Sequence, residues 1–167
     1  MYDIRVETFI KGGEKLIEDY EINERTLAIV PFEEKSKVYE EDNVYIVDKD
    51  VHTIMEESCE YFGSSLEGRQ KGTTSLLGIT HKTPIIIEES KEIIFFPTSS
   101  PRLSNCSWVS LNNLDSYKKS GGNIKLKFNN NEEVELKTSY GIIDNQVLRA
   151  TRLESMLRKR KKNSKNV

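Results

Sequence analysis

The sequence predicts a mixed α/β fold that is mainly antiparallel β and ends in an amphipathic basic helix. Short apolar runs, each closed by a proline or by turn residues, recur as far as Thr138, as expected for strands. A segment without proline or glycine then carries apolar residues at helical spacing. With 167 residues, the chain is long enough to bury a sizeable core and short enough to form one domain.

The first third of the chain is predicted to be mostly strands. Residues 1–20 alternate weakly and pass through two glycines, which leaves an edge hairpin and a partly ordered lead-in both open. Between Lys49 and Ser58, charged residues with apolar interruptions predict one or two helical turns or an irregular strand. The predicted strands are Thr26–Phe32, Ser36–Glu40 and Asn43–Val47.

The middle of the chain is predicted to combine strands with one shaped loop. Cys59–Gly72 holds three glycines, two serines and two cations, a mixture that predicts a loop. Leu111–Tyr117 predicts a short helix, and Phe62 and Trp108 are expected in the core. The predicted strands are Thr73–Thr80, Pro84–Ile87, Glu92–Pro97 and the two arms of a hairpin, Asn123–Phe128 and Glu132–Thr138.

The C-terminal helix carries two separate stripes. We interpret Asp144 as its N-cap and expect it to run from Asn145 to about Lys162. An apolar stripe, favoured as core over a dimer seam, contains Ile143, Val147, Ala150, Leu153 and Leu157. A cationic stripe contains Arg149, Arg152, Lys159 and Arg160.

Charge is distributed unevenly along the chain. Residues 1–60 carry a net charge of −10, residues 61–145 carry +1 and residues 146–167 carry +7, for a total of −2. A basic end points to a polyanionic partner, whereas an acidic front limits indiscriminate binding. Because no apolar run could span a bilayer and the start lacks a signal-peptide core, we expect a cytoplasmic protein without membrane contact.

The glycine-rich segment has two interpretations. As an isolated pattern it is typical of a structural turn. Alternatively, Ser64 and Ser65 could donate hydrogen bonds to an anion beside the positive charges of Arg69 and Lys71, which would make the segment a phosphate or nucleic-acid contact. It matches neither a P-loop nor a dinucleotide-binding fingerprint.

Several motifs resemble one family. They are Phe62-Gly63-Ser64-Ser65, Gly68-Arg69, Gly72-Thr73, His81-Lys82 with Pro84, Phe96-Pro97-Thr98, Cys106 with Trp108, Ser139-Tyr140, and Asn145-Gln146-Val147 with Arg149. Tyr20-Glu21 and Ala28-Ile29-Val30-Pro31 extend the match toward the start. Together they resemble the ComK family of bacterial competence transcription factors over about residues 18–158.

The resemblance implies an activator of DNA-uptake genes that recognises paired A/T-rich boxes through the minor groove of double-stranded DNA. It also implies a homo-oligomer, a dimer or tetramer on DNA, associated with the nucleoid and needing no cofactor. RNA polymerase is a candidate partner. The resemblance and the charge pattern together assign DNA contact to Ser64, Ser65, Arg69, Lys71, Lys82, Arg149, Arg152, Lys159 and Arg160.

Three departures from the family pattern matter. Residues 1–17 form an N-terminal extension without a clear counterpart, before a ComK-like DNA-binding domain at 18–158. The basic tail at 159–167 is short, which puts degradation through a Clp protease adaptor in doubt. Arg152 stands at a position occupied by an aromatic residue in a relative, so its assignment rests on charge alone.

Two other classes of function compete with DNA binding. A regulatory protein-interaction module that does not bind DNA would suit the acidic front. A more remote alternative is a cysteine-dependent enzyme using Cys59 or Cys106 with His81, although no third orienting group is evident. Both cysteines are expected to be reduced. Zinc binding by these cysteines and the two histidines is disfavoured, because the paired ligand spacing of structural zinc sites is absent.

Overall fold

A computed structural model describes residues 8–10 and 13–165. Much of the predicted extension, namely residues 1–7, 11 and 12, lies outside this part, as do the last two residues of the predicted tail. The described residues form eleven strands and three helices: β1 Thr8–Ile10, β2 Glu14–Ile17, β3 Thr26–Phe32, β4 Lys35–Glu40, β5 Val44–Val47, α1 Val51–Tyr61, α2 Leu66–Leu77, β6 Ile85–Glu88, β7 Ile93–Pro97, β8 Trp108–Ser110, β9 Leu114–Ser120, β10 Asn123–Phe128, β11 Glu133–Leu136 and α3 Tyr140–Lys165.

A large sheet of eight strands has the order β1-β2-β5-β4-β3-β8-β7-β6. Its neighbours are antiparallel except β2 and β5, which run parallel. The β1–β2 pair is an edge hairpin. The predicted fold class is confirmed as mixed α/β with mostly antiparallel strands and a C-terminal helix.

A second sheet has the order β11-β10-β9 and contains the predicted Asn-rich hairpin. The short helix predicted at Leu111–Tyr117 is wrong, because this stretch leads into strand β9. The pairing of β9 with β10 shifts between Lys127 and Phe128, which leaves one extra residue in β9. Leu114 and Tyr117 therefore both pack against the core although they are three residues apart in the sequence. That spacing imitates a helix.

The large sheet separates two apolar layers. One face, with α1, buries a cluster that includes Ile54, Phe95 and Trp108. The other face, covered by the small sheet and α3, buries a cluster that includes Phe96 and Leu153. Strand β7 is buried on both sides, because alternate residues enter opposite clusters. The core positions predicted for Trp108 and Phe62 are confirmed, although Phe62 is only partly buried.

The loop predicted for Cys59–Gly72 and the strand predicted for Thr73–Thr80 are wrong. Cys59 lies in α1, and most of the remainder is helix α2. Ser65 caps the start of α2, and Gly78, whose φ is +70°, ends it in the left-handed conformation. Burial of Leu66, Thr73 and Leu77 on one face offsets the poor helix propensity of the glycines and threonines.

Helix α3 begins earlier than predicted, and Asp144 is not its N-cap. Ser139 precedes the helix, and its Oγ accepts from the backbone N–H of Ile142 at 3.2 Å. Asp144 instead accepts a 2.7 Å hydrogen bond from the Tyr117 hydroxyl. The apolar stripe is core as favoured: Ile143, Ala150, Leu153 and Leu157 are buried, and Val147 packs against them.

Candidate nucleic-acid interface

Ser64 and Ser65 organise the turn between α1 and α2. Ser65 Oγ accepts a 2.9 Å hydrogen bond from the Gly68 amide, and its carbonyl accepts one from the Arg69 amide at 2.9 Å. The Ser64 amide donates to the Cys59 carbonyl at 3.0 Å, which ties the turn back to α1. Ser65 therefore shapes the start of α2, and both serines lie beside the helix end that favours an anion.

Arg69 and Lys71 point in different directions. Arg69 is half-buried on the side of α2 that carries Leu66 and Thr73, and its buried Nε has no hydrogen-bond partner. Lys71 is 76% exposed and forms a 3.2 Å ion pair with Glu67 one turn earlier. Such an exposed pair contributes little to stability, so Lys71 exchanges partners at little cost.

The loop at residues 79–84, which we call the anchored loop, is held by its own backbone carbonyls. Two threonines of α2 donate to its ends: Thr74 to the Ile79 carbonyl at 2.7 Å and Thr73 to the Pro84 carbonyl at 2.6 Å. Two residues of α3 donate to its middle, as Arg149 Nη1 contacts the His81 carbonyl at 3.0 Å and Gln146 Nε2 contacts the Lys82 carbonyl at 2.9 Å.

Anchoring through carbonyls leaves the two basic side chains of the loop exposed. His81 and Lys82 are both exposed. Lys82 has a φ of +51°, which is uncommon for a residue other than glycine and is held here by the bonds around it. The loop therefore presents two basic side chains from a fixed backbone.

Five basic residues of α3 beyond Arg149 fall into two sets. Arg158 bonds to Glu92 at 3.1 and 3.2 Å, and Lys161 donates to the Glu89 carbonyl at 2.7 Å, so these two fasten the helix to the turn before β7. Arg152, Lys159 and Arg160 are exposed, and no ion pair involves them within residues 13–165. The second set is available to a partner.

The structure brings part of the predicted site together. Lys71 and Lys82 line one cleft, and Arg149 contacts the loop that carries Lys82. Lys159 and Arg160 lie farther along α3, with Arg160 about 16 Å beyond Arg149 at the helical rise per residue. The predicted residues thus follow a path from α2 across the anchored loop to α3.

Sequence reasoning missed the residues that fix this path. Gln146 is only 2% exposed, and its amide also donates to the Pro97 carbonyl at 2.7 Å. Thr73 and Thr74 have the same supporting role on α2. One available signal was a glutamine interrupting the otherwise apolar stripe of α3, since a polar group on a buried face needs a partner.

The two cysteines are free and buried. Burial raises the pKa of the Cys59 thiol to about 12, although the positive charge of Arg69 acts in the opposite direction. Burial also raises the pKa of Cys106. Both shifts disfavour the thiolate that a nucleophilic cysteine needs.

Neither a metal cluster nor a membrane-spanning helix is found in the described part of the chain. No group of three or more His, Cys, Asp or Glu side chains there is arranged to hold a metal ion. Likewise, none of its helices is both long enough and apolar enough to cross a membrane.

Comparison with known proteins gives two matches. The family model described as ComK protein matches residues 17–162. The "Competence transcription factor" of Bacillus subtilis (strain 168) is 35% identical over 149 residues, which is 86% of this chain and 78% of that protein. No solved structure matches the chain at a significant level.

Proposed function

Because the chain belongs to the ComK family of competence transcription factors, we propose that it activates competence genes by binding paired A/T-rich boxes through the minor groove of double-stranded DNA. In this proposal the active form is a homo-oligomer on DNA, located at the nucleoid, and RNA polymerase is its partner at the promoter.

The observation that carries the proposal is the path of basic side chains from α2 to α3. Lys71 and Lys82 share a cleft, Arg149 holds the same loop, and Arg152 lies on the exposed side of α3 one turn further. A fixed row of cations suits a phosphate backbone, because the released counterions favour binding.

We assign each residue a role from the chemistry of the minor groove and of the phosphate backbone. A narrow A/T minor groove concentrates negative potential and accepts slender cationic side chains, for which Arg69 is the candidate. Phosphate contacts that fix the register are assigned to Ser64, Ser65, Lys71 and Lys82. Contacts to the neighbouring backbone are assigned to the α3 residues Arg149, Arg152, Lys159 and Arg160.

The proposal is tested by titrating the protein against a duplex with paired A/T boxes and a G·C-rich duplex of equal length. Titrations are repeated across salt concentrations and with a competing minor-groove ligand. We expect tighter binding to the A/T duplex, loss of that binding with the competitor, and steep salt dependence. Equal affinities without competition would reject minor-groove recognition. Failure to bind either duplex at any salt concentration would favour a protein-interaction module.

A further inference from the structure

A cleft of about 590 Å³ opens between α2, the anchored loop and the segment 100–102. Its basic lining residues are His52, Lys71, His81, Lys82 and Arg102, whereas Glu67 is its sole acidic one. All five basic residues are exposed. The cleft is therefore a strongly basic recess rather than a mixed charged surface.

Both histidines of the chain line this one cleft, although they come from distant parts of the sequence. His52 lies in α1 and His81 in the anchored loop. Within residues 13–165, no ion pair involves either histidine, Lys82 or Arg102, whereas Lys71 is paired with Glu67. Within that part of the chain, four of the five basic groups thus form no ion pair.

We propose that this cleft holds the sugar–phosphate backbone of the bound duplex, with Arg102, His52 and His81 as contacts beyond those predicted from sequence. This inference rests on the proposed function. The anchored loop supplies the fixed wall, since its carbonyls are bonded to α2 and α3 while His81 and Lys82 face outward. Hydroxyl groups of Thr80 and Ser100 add donors suited to phosphate oxygens.

The experiment compares the full chain with Arg102→Gln and with the double variant His52→Gln/His81→Gln. The probe is the A/T-box duplex, titrated from 50 to 300 mM salt. We expect Arg102→Gln to bind about tenfold more weakly and to lower the log–log salt slope by about 0.9. We expect the double variant to bind a few-fold more weakly than the wild type, because two contacts to the phosphate backbone are lost.

Arg25→Gln is the matched control. Arg25 is an exposed arginine that lines a different cleft, beside Glu24 and Lys91. We expect its duplex affinity and salt slope to equal those of the wild type. Thermal unfolding establishes that each variant is folded before it is titrated.

The outcomes separate the inference from the proposed function. If the wild type binds the A/T duplex while Arg102→Gln and the double variant bind it equally well, the cleft is not the backbone site and the function stands. An equal loss in Arg25→Gln would show bulk attraction and would also overturn the inference. Adenosine monophosphate serves as a second probe. If its binding depends on Arg102 while the duplex affinity of Arg102→Gln is unchanged, the cleft binds a free nucleotide and not the duplex. A wild type that binds no duplex would overturn both proposals.

Discussion

Arg69 belongs to the predicted DNA site, and one hydrogen-bond donor of its side chain has no partner among the described residues. Its Nε is buried without a partner, whereas buried guanidinium nitrogens are normally hydrogen-bonded. Such an unpaired donor costs about 1–3 kcal/mol. A residue that stability does not favour, on a helix proposed to lie at the duplex, is a candidate for a binding role.

Arg69→Leu separates stability from function. Leucine places an apolar side chain on the face of α2 that carries Leu66 and removes the unpaired donor, so we expect the free energy of unfolding to stay equal or rise by about 1 kcal/mol. The free energy of binding to the A/T duplex should become less favourable by about 1–3 kcal/mol, because a groove contact is lost. Denaturant unfolding and duplex titration measure the two effects. Arg69→Lys, which keeps the charge, is the control.

Two results would reject the role assigned to Arg69. Unchanged duplex affinity in Arg69→Leu would move the groove contact to another side chain. A large loss of stability would mean that Arg69 supports the packing of α1 on α2.

Gln146 links α3 to the anchored loop and to the end of β7. In Gln146→Leu, the carbonyls of Lys82 and Pro97 lose their donor, so we expect about 2–4 kcal/mol of destabilisation. Amides of the 79–84 segment should exchange faster, and duplex affinity should fall because Lys82 is no longer fixed. Hydrogen exchange and titration measure these changes. The control is Asn145→Ala, which changes a neighbouring exposed residue and should have little effect. Slow exchange in Gln146→Leu would show that the other hydrogen bonds are enough to hold the anchored loop.

The glycines of α2 test how closely the helix approaches DNA. A Cβ on Gly72 would meet no heavy atom within 4 Å, so Gly72→Ala should stabilise the helix by about 0.5–1 kcal/mol. Duplex binding should weaken several-fold, since the added methyl group faces the proposed DNA surface beside Lys71. Thermal unfolding and titration of the same variant measure both quantities. Tighter or equal binding would place this face of α2 away from the duplex.

Which elements could be predicted from sequence depended on whether their signals were local. Thr26–Phe32 and Asn123–Phe128 were predicted with the observed bounds, because alternation and turn residues mark them directly. Helix α2 was missed because Gly68, Gly72 and the threonines have low helix propensity, although Ser65 and Gly78 marked its ends. Strand β9 was missed because a register shift imitates helical spacing.

The candidate site was likewise predictable only in part. The charged, glycine-rich segment drew attention to Lys71, and the resemblance to the ComK family drew attention to Lys82; both line one cleft. The anchored loop could not be predicted, because its carbonyls are bonded to side chains from two helices that only tertiary packing brings together. Arg102 carried no local signal, since it follows a proline in an ordinary polar loop.

At the scale of the molecule, the basic end is partly used in internal contacts. The net charge of +7 over residues 146–167 includes Arg158 and Lys161, which are bonded to the turn before β7. Only part of the formal charge is therefore available to a polyanion, and we expect fewer phosphate contacts than composition indicates.

The salt dependence of duplex binding measures how many phosphates the protein neutralises. If Lys71, Lys82, Arg102, Arg149, Arg152, Lys159 and Arg160 each neutralise one phosphate, the log–log slope should be about −6 per protomer. Titration over a range of salt concentrations, with stoichiometry from sedimentation, gives the slope and the number of subunits. A slope near −2 would limit the interface to a few of these residues and would leave the end of α3 in solvent.

If the anchored loop lies in the DNA site as proposed, it also determines the stage of synthesis at which the protein can bind DNA. Two of the donors that fix it, Gln146 and Arg149, belong to the last helix of the chain, whereas the loop itself is made more than sixty residues earlier. A ribosome-bound chain that has not yet released α3 leaves the backbone of His81 and Lys82 without these partners. We expect nascent chains of increasing length to ignore A/T duplex until α3 has emerged, so that interrupted copies do not occupy promoters.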